Sequence, residues 1–368
     1  MELSNIWLIL SGLYALGLGL MIWNWLRIGH TPAGKRPLPS VSILVPARNE
    51  AENISPLLDD LARQHYTQGF EIIVIDDHST DGTVKEVERT PGNVRLISLE
   101  QGQGKKAAIS KGVANATGEV IVTIDADCRV GENWLVSMMK PFADEAITMT
   151  FGPVTYGGDA FSDRLQALEL WSLVGVGAAT WQMGMPTMCN GANLAYRKSA
   201  FEAVGGFKGS QDISSGDDEF MLQSVKAKFG AAAIKFVKDP FAVVSTQASH
   251  TLKDFVHQRR RWAGKWNLHK AIGPKLLALT VFGFHLSVLL AVVGWAVGSI
   301  PTGGFFAGLG LKVFSEFLFL RTVSGSMRMP FPYFGFVCWQ LWYSVYAVGI
   351  GLAVQRGGFV WKDRELQR

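Results

Sequence analysis

Apolar residues are spread unevenly along the chain, and the unevenness marks out three kinds of segment. Residues 6–26 carry no charge, with Trp7 near one end and Trp23 and Trp25 near the other. Roughly 20 such residues cross a bilayer core, and aromatic residues favour its interfaces, so the run predicts a transmembrane helix. Glu2 is the only charged side chain before it and no small-residue cleavage site follows, which reads as an anchor rather than a removable signal. Apolar texture returns after Gly273. Residues 276–300 and 331–354 are long enough to cross. Residues 305–320 are weaker, because Lys312 and Glu316 each cost up to roughly 3 kcal/mol at mid-membrane.

From Val41 the texture changes to short β-branched runs, at 41–45, 71–75, 94–97 and 120–124, separated by helix-compatible stretches at 51–64 and 105–116. Short apolar strands alternating with helices predict a mostly parallel sheet in an α/β fold. Ligands of such sheets bind beyond the carboxyl ends of the strands, and the polar motifs of this chain fall there. The organisation read from these patterns is an anchor over residues 1–30, a linker over 31–40, a cytoplasmic α/β domain over 41–272, a membrane region over 273–356 and a basic tail over 357–368.

Charged residues make up 18% of the chain, below the roughly one quarter usual in soluble domains, and the deficit sits in the apolar runs. A net charge of +4 with no basic block is too small to argue for nucleic acid, and none is expected as a partner. Basic residues flank the apolar runs instead: Arg27, Lys35 and Arg36 follow the first, and Lys265, Lys270 and Lys275 precede the second. That bias predicts a cytoplasmic domain lying against membrane lipids. Four spans leave the tail, with Arg356, Lys362, Arg364 and Arg368, on the opposite side against the same bias. A re-entrant middle segment would return the tail inside but misplace Arg321 and Arg328, and four spans are the preferred reading. Cys128, Cys189 and Cys338 are far apart with no CxxC, which fits reduced thiols rather than disulfides or zinc.

The first strand ends in Pro46-Ala47-Arg48-Asn49-Glu50 and the second in Asp76-Asp77-His78-Ser79-Thr80-Asp81-Gly82-Thr83. Acidic groups at a strand's carboxyl end can accept hydrogen bonds from a nucleobase or ribose, while Asp81-Gly82 also suits a turn that caps the next helix. Neither GxGxxG nor GxxxxGK[ST] is present, so no Rossmann or P-loop site is indicated. The segment QGQGKK at 101–106 is a phosphate contact at a helix start or a solvated loop. In IVTIDAD, Asp125 and Asp127 stand just beyond an apolar strand. Two carboxylates so close favour a cation, and a hard divalent ion, Mg2+ or Mn2+, is held by one or two carboxylates plus phosphates. CNGAN at 189–193 is a close backbone approach to a ligand or a simple turn.

Asp217-Asp218-Glu219 starts a helix-like run, and either serves its dipole or supplies a carboxylate base. HQRRRW at 257–262 precedes the membrane spans. Its arginines can grip a diphosphate and Trp262 can stack on a sugar or support an arginine; the alternative is a basic stretch attracted to anionic lipid. Residues 161–185, apolar for a loop, are predicted to lie against the membrane and shape the acceptor entrance, with burial in the core as the alternative.

The segments DDHSTDGT, DAD, GDDE and QRRRW stand in the order found in family 2 glycosyltransferases of the GT-A fold. Over about 41–266 the chain resembles their membrane-integrated branch, which includes cellulose, hyaluronan and ceramide sugar transferases. The resemblance implies an α/β fold of GT-A type, a mostly parallel sheet with helices on both faces, plus one N-terminal and about three C-terminal transmembrane helices. It implies a metal-dependent, inverting hexosyl transfer from a nucleotide-sugar donor, a UDP-sugar favoured, to a lipid or glycan acceptor at the cytoplasmic face of a bacterial inner membrane. Asp77, with neighbours Asp76, Pro46 and Glu50, would bind base and ribose; Lys105 and Asp125 would also approach the donor. Asp125 and Asp127 would hold the metal, and Asp218 would be the catalytic base. The motif reads Gly-Asp-Asp rather than Thr-Glu-Asp, so Asp217 competes for that role. Gln258, Arg261 and Trp262 match Q-x-x-R-W, which closes over the diphosphate and the acceptor end. Trp361-Lys362-Asp363-Arg364 resembles a W-K-G-R ending with Asp in place of Gly. A single N-terminal span is fewer than large processive synthases carry, which disfavours a secretion channel. The rival readings are a processive polysaccharide synthase, a nucleotidyltransferase, and a transporter with a nucleotide-binding regulatory domain. The scarcity of polar residues in the spans weighs against the last.

Overall fold

The computed structural model describes residues 2–29, 36–208, 216–264 and 272–353, with the backbone of two short C-terminal segments, 359–361 and 364–366. Residues 31–35, half of the predicted linker, and Arg356, Lys362, Asp363 and Arg368 near the C-terminus lie outside the described residues, as do Lys265 and Lys270.

The run VSILV becomes strand β1 (Val41–Ala47), and Ile43, Leu44 and Val45 are fully buried, as an all-apolar strand flanked on both faces requires. The other strands are β2 (Phe70–Asp76), β3 (Val94–Ser98), β4 (Val120–Thr123), β5 (Arg129–Val130), β6 (Met149–Phe151), β7 (Val154–Tyr156), β8 (Leu194–Arg197), β9 (Ile234–Phe236) and β10 (Val244–Thr246). The helices are α1 (Leu3–Arg27), α2 (Ile54–Ala62), α3 (Thr83–Arg89), α4 (Lys105–Asn115), α5 (Trp134–Met139), α6 (Phe161–Gln182), α7 (Lys198–Ala203), α8 (Asp217–Phe229), α9 (Leu252–Gly264), α10 (Ile272–Ala296), α11 (Thr302–Ser326) and α12 (Tyr333–Ala353).

Among the described residues the main sheet has seven strands in the order β3-β2-β1-β4-β8-β6-β9. β1 is parallel to β2 and β4, β2 is parallel to β3, and β6 is parallel to β9. Only β8 runs against its neighbours β4 and β6. The mostly parallel sheet expected from sequence is therefore present, with one reversed strand. Its register pairs Ala47 with Asp76 and Leu44 with Thr123, so the polar residues after β1, β2 and β4 leave the sheet along one edge. A second sheet, β5-β10-β7, adds Thr246 beside that edge, where its Oγ1 donates to Asp127 Oδ2 at 3.1 Å. Helix α2 starts later than the sequence pattern predicts, because the Glu50 carbonyl accepts the Asn53 and Ile54 amides in a preceding turn.

All four apolar runs form helices long and apolar enough to cross a membrane: α1, α10, α11 and α12. Helix α11 is longer than expected, and its charges are turned inward. Lys312 Nζ donates to Glu316 Oε2 at 2.9 Å and to Gln340 Oε1 at 2.6 Å, and Gln340 Nε2 donates to Glu316 Oε2 at 2.8 Å. The Tyr14 hydroxyl donates to the other carboxylate oxygen at 3.0 Å. Helices α1, α11 and α12 thus share one closed polar cluster, and the cost of a lipid-facing charge does not apply. Small residues let the same helices approach: Gly308 leaves room for the Trp7 indole, whose Nε1 donates to Phe305 O at 3.1 Å.

Much of helix α6 is buried within the chain. Leu168, Leu170, Trp171, Ala178 and Ala179 are buried, and the helix packs between β7 and the membrane helices α1, α11 and α12. Gly175 sits so close to Phe319 and Val323 of α11 that a Cβ would meet both at 2.7 Å. The core alternative is the one observed, because the sheet and the membrane helices together enclose the segment.

The polar cluster makes a stability prediction. Lys312→Met alone strands Glu316 in an apolar bundle and lowers the unfolding free energy in detergent by about 3 kcal/mol or more. Adding Glu316→Leu recovers most of that loss, which thermal unfolding of the two purified variants measures.

Candidate active site

The carboxyl edge of the sheet gathers most of the predicted donor residues around one cavity of about 780 Å³. Pro46, Glu50, Asp77, Lys105, Asp125, Asp127, Asp217, Asp218, Gln258, Arg261 and Trp262 all line it. Asp76 does not. Adjacent residues at a strand end point to opposite sides, and Asp76 instead accepts the Ser79 amide at 3.2 Å within its own turn. Asp81 does the turn's other work, taking the Thr83 amide at 2.9 Å and the Ala51 amide at 3.1 Å. Asp77 faces the cavity, and its Oδ2 accepts the Gly104 amide at 2.9 Å. That bond ties the DDHSTDGT segment to the QGQGKK loop, where Gly104 has φ 88 and so needs glycine. Glu50 Oε2 accepts from Asn53 Nδ2 at 2.8 Å.

Lys105, the first residue of α4, reaches into the acidic end. Its Nζ lies 2.5 Å from Asp125 Oδ1 and 3.6 Å from Asp217 Oδ2. Burial disfavours its charge, yet the Asp125 and Asp217 carboxylates outweigh that and raise its pKa well above the ordinary lysine value. The first turn of α8 presents Asp217 and Asp218 after Gly216, whose φ of 84 lets the chain enter the helix there. Asp218 Oδ2 accepts the Gly191 amide at 3.1 Å and its Oδ1 the Glu219 amide at 2.8 Å. Gly191 of CNGAN lies close to two of the site's own side chains: a Cβ there would stand 2.9 Å from Lys105 Nζ and 3.0 Å from Asp217 Oδ2. Asn193 braces the same loop from beneath, donating to Pro153 O and Ala242 O at 2.8 Å each and accepting from Trp134 Nε1 at 3.0 Å.

Helix α9 forms the opposite wall. Gln258 Oε1 accepts from the Tyr156 hydroxyl at 3.1 Å and Ser249 Oγ at 3.3 Å. Burial lowers the Arg261 pKa, and the carboxylates of Asp125, Asp217 and Asp218 act against that, which places this arginine within electrostatic reach of the acidic end. Trp262 supports the neighbouring Arg259, whose guanidinium carbon lies 4.8 Å from the indole. Arg259, which the sequence offered only as one of three arginines able to grip a diphosphate, and its partner Glu169, which sequence reasoning passed over, also line the cavity. The only signal for Glu169 was a lone acid in the apolar run ALELWSLVGVG.

Beyond α9 the lining turns apolar, with Leu173 and Val176 of α6, Leu277 and Phe282 of α10, and Ala347 and Ile350 of α12. Among the described residues no three His, Cys, Asp or Glu side chains converge into a ready metal cage. The site nonetheless fits a divalent ion of the kind that takes one or two carboxylates and completes its shell with phosphate and water. Asp125 and Asp127 both open to the cavity, and the Lys105 ammonium already stands against Asp125 as a cation.

Known proteins share these features. Residues 42–205 match the sequence model of Glycosyl transferase family 2. An N-acetylglucosaminyltransferase of Mesorhizobium japonicum is 24% identical over 287 residues, covering 74% of this chain and 65% of that protein. One of Rhizobium meliloti is 26% identical over 250 residues, covering 64% of this chain and 58% of that protein. The chain therefore spans less than two thirds of the length of these two relatives. Glycosyltransferase AglE of Haloferax volcanii is 26% identical over 261 residues, covering 69% of this chain and 81% of that protein. In shape, a mannosyltransferase of Pyrobaculum calidifontis solved in complex with GDP-Man and Mn2+ aligns over 93% of this chain and 99% of its own, with TM-score 0.59 at 20% identity. That likeness shows a common GT-A-like fold. The chain thus carries a Glycosyl transferase family 2 domain over residues 42–205, together with four helices long and apolar enough to cross a membrane.

Proposed function

We propose that the enzyme transfers a hexose with inversion from a nucleoside diphosphate sugar, a UDP-sugar favoured, to a lipid or glycolipid acceptor at the cytoplasmic membrane face. The observation that carries this reading is the two-ended cavity, acidic at the sheet edge and apolar between α6, α10 and α12. Pro46, Glu50 and Asp77 take base and ribose. Lys105 and Arg261 offer positive charge to the diphosphate. Asp125 and Asp127 would hold Mg2+ or Mn2+, which when bound neutralises charge on the diphosphate leaving group. The mannosyltransferase of similar fold was solved with GDP-Man and Mn2+, which supports a nucleotide-sugar donor and a divalent ion here.

We assign the base to Asp218 and the holding of Lys105 to Asp217, which stands 3.6 Å from that ammonium. An acceptor hydroxyl attacks the anomeric carbon as its proton passes to the Asp218 carboxylate. The new carbon–oxygen bond forms as the bond to the diphosphate breaks, and the nucleoside diphosphate leaves. An apolar groove suits an acyl or prenyl chain, whereas a growing glycan needs hydroxyl-binding walls. Among the described residues, the Lys312–Glu316–Gln340 cluster ties α11 to α12 with its polar groups closed on one another, which weighs against a polysaccharide conduit between those two helices. Transport with nucleotide regulation and nucleotidyl transfer leave the family match unexplained.

Membranes bearing the enzyme, incubated with a panel of radiolabelled nucleotide sugars, are expected to put one sugar per molecule into the organic extract. Water-soluble labelled polymer would sink the lipid reading in favour of the processive one. Asp218→Asn is expected to lower turnover about 10²–10⁴-fold with donor binding retained, and Asp217→Asn to weaken donor binding as well; equal turnover in Asp218→Asn and the parent enzyme removes Asp218 from the base role. Asp125→Ala and Asp127→Ala are each expected to abolish the metal dependence of donor binding, read by titration calorimetry with and without Mn2+. Unchanged metal dependence in both would place the ion elsewhere.

A further inference from the structure

One ion pair on the cavity wall belongs neither to the acidic end nor to the apolar groove. Arg259 of α9 is 2% exposed and Glu169 of α6 is 8% exposed. The guanidinium donates from Nε at 2.8 Å and from Nη2 at 2.6 Å to Glu169 Oε2. The other carboxylate oxygen accepts the Tyr346 hydroxyl of α12 at 2.5 Å. Arg259 Nη1 donates to the Tyr156 hydroxyl at 3.3 Å and also to Gln258 Oε1. The Phe255 ring lies 4.2 Å from the guanidinium carbon. Three separate elements, α6, α9 and the last membrane helix, therefore meet at one carboxylate.

Burying two charges is a poor way to fill space, because an apolar pair of similar size is commonly as stable or more so. What a guanidinium fork supplies and an apolar contact does not is direction: its planar set of donors fixes how the helix that carries it is rotated. Arg261 and Trp262 follow Arg259 on the same helix turn, and Gln258 precedes it. We propose that Glu169 and Tyr346 are positioning residues which, through Arg259, set the rotation of α9 and so hold Arg261 toward the donor diphosphate. Tyr346 lies on the face of α12 whose Ala347 and Ile350 line the apolar groove. The helix that contacts the acceptor chain is thus the helix that fixes the donor-side arginine. This deepens the donor and acceptor assignment above and rests on it.

The test uses the full chain in detergent, with Glu169→Gln, Tyr346→Phe and the double variant Glu169→Met/Arg259→Met. Two readouts are taken: amide hydrogen exchange over residues 252–264, and kcat with donor KM. In Glu169→Gln, exchange across α9 is expected to rise by about 10-fold while α2 and α4 keep their protection, and kcat to fall about 10–100-fold, as a misplaced charged group does. Tyr346→Phe is expected to shift both readouts in the same direction by less. The double variant is expected to regain thermal stability without regaining kcat. Wild-type exchange and turnover in Glu169→Gln, or wild-type turnover in the double variant at restored stability, would overturn the proposal and leave the pair a space-filling contact. If the parent chain labels no lipid, the acceptor assignment falls by itself, and the exchange of α9 still decides whether Glu169 sets it.

Discussion

Negative charge gathered at a half-enclosed sheet edge is the constraint on which the rest of the molecule depends. Asp77, Asp125, Asp127, Asp217 and Asp218 line one cavity, and carboxylates at such spacing are stable only with cations among them. Lys105 answers part of this from within the chain, standing 2.5 Å from Asp125. Its place is itself built: the Asp77 bond to the Gly104 amide fixes where α4 begins, and Gly191 leaves the ammonium room. Arg261 approaches from the other wall. The arrangement favours a ligand that brings phosphates and a metal together, since phosphates alone would add to the repulsion and a metal alone would lack ligands.

The same physics governs the membrane helices with the opposite outcome. Lys312 and Glu316 find each other, Gln340 and Tyr14 within the bundle, so the charges are satisfied internally and nothing further is required of a ligand. Glu169 and Arg259 are likewise closed upon each other. The acidic end of the cavity is the place where the fold holds carboxylates open to a large volume, and that contrast is the physical reason to place chemistry there rather than at either buried pair.

Much of this was legible in the sequence. Apolar β-branched runs identify strands because both faces of a central parallel strand are covered, and DDHSTDGT and DAD fall within the region that matches Glycosyl transferase family 2. Three features were not legible, each for a physical reason. Hydropathy counts a charge but not its partner, so α11 looked weak although Lys312 and Glu316 neutralise each other one turn apart. A pair of adjacent acids does not reveal which one faces the ligand, because strand alternation gives the period but not the phase; Asp77 faces the cavity and Asp76 caps a turn. Glu169 and Arg259 are 90 residues apart in sequence, and their pairing depends on how α6 docks under α9.

Helix α6 explains why a single cavity can have two chemical ends. Buried between the sheet and the membrane helices, it contributes Glu169 toward α9 and Leu173 and Val176 to the apolar lining. Had it lain on the membrane surface, the acidic edge and the apolar groove would have been separate clefts, and a sugar activated in one would have to diffuse to the other. With α6 enclosed, Asp125 and the apolar walls of α10 and α12 line one space. Under the proposed reaction, transfer would require no movement of the activated sugar through water, where hydrolysis competes.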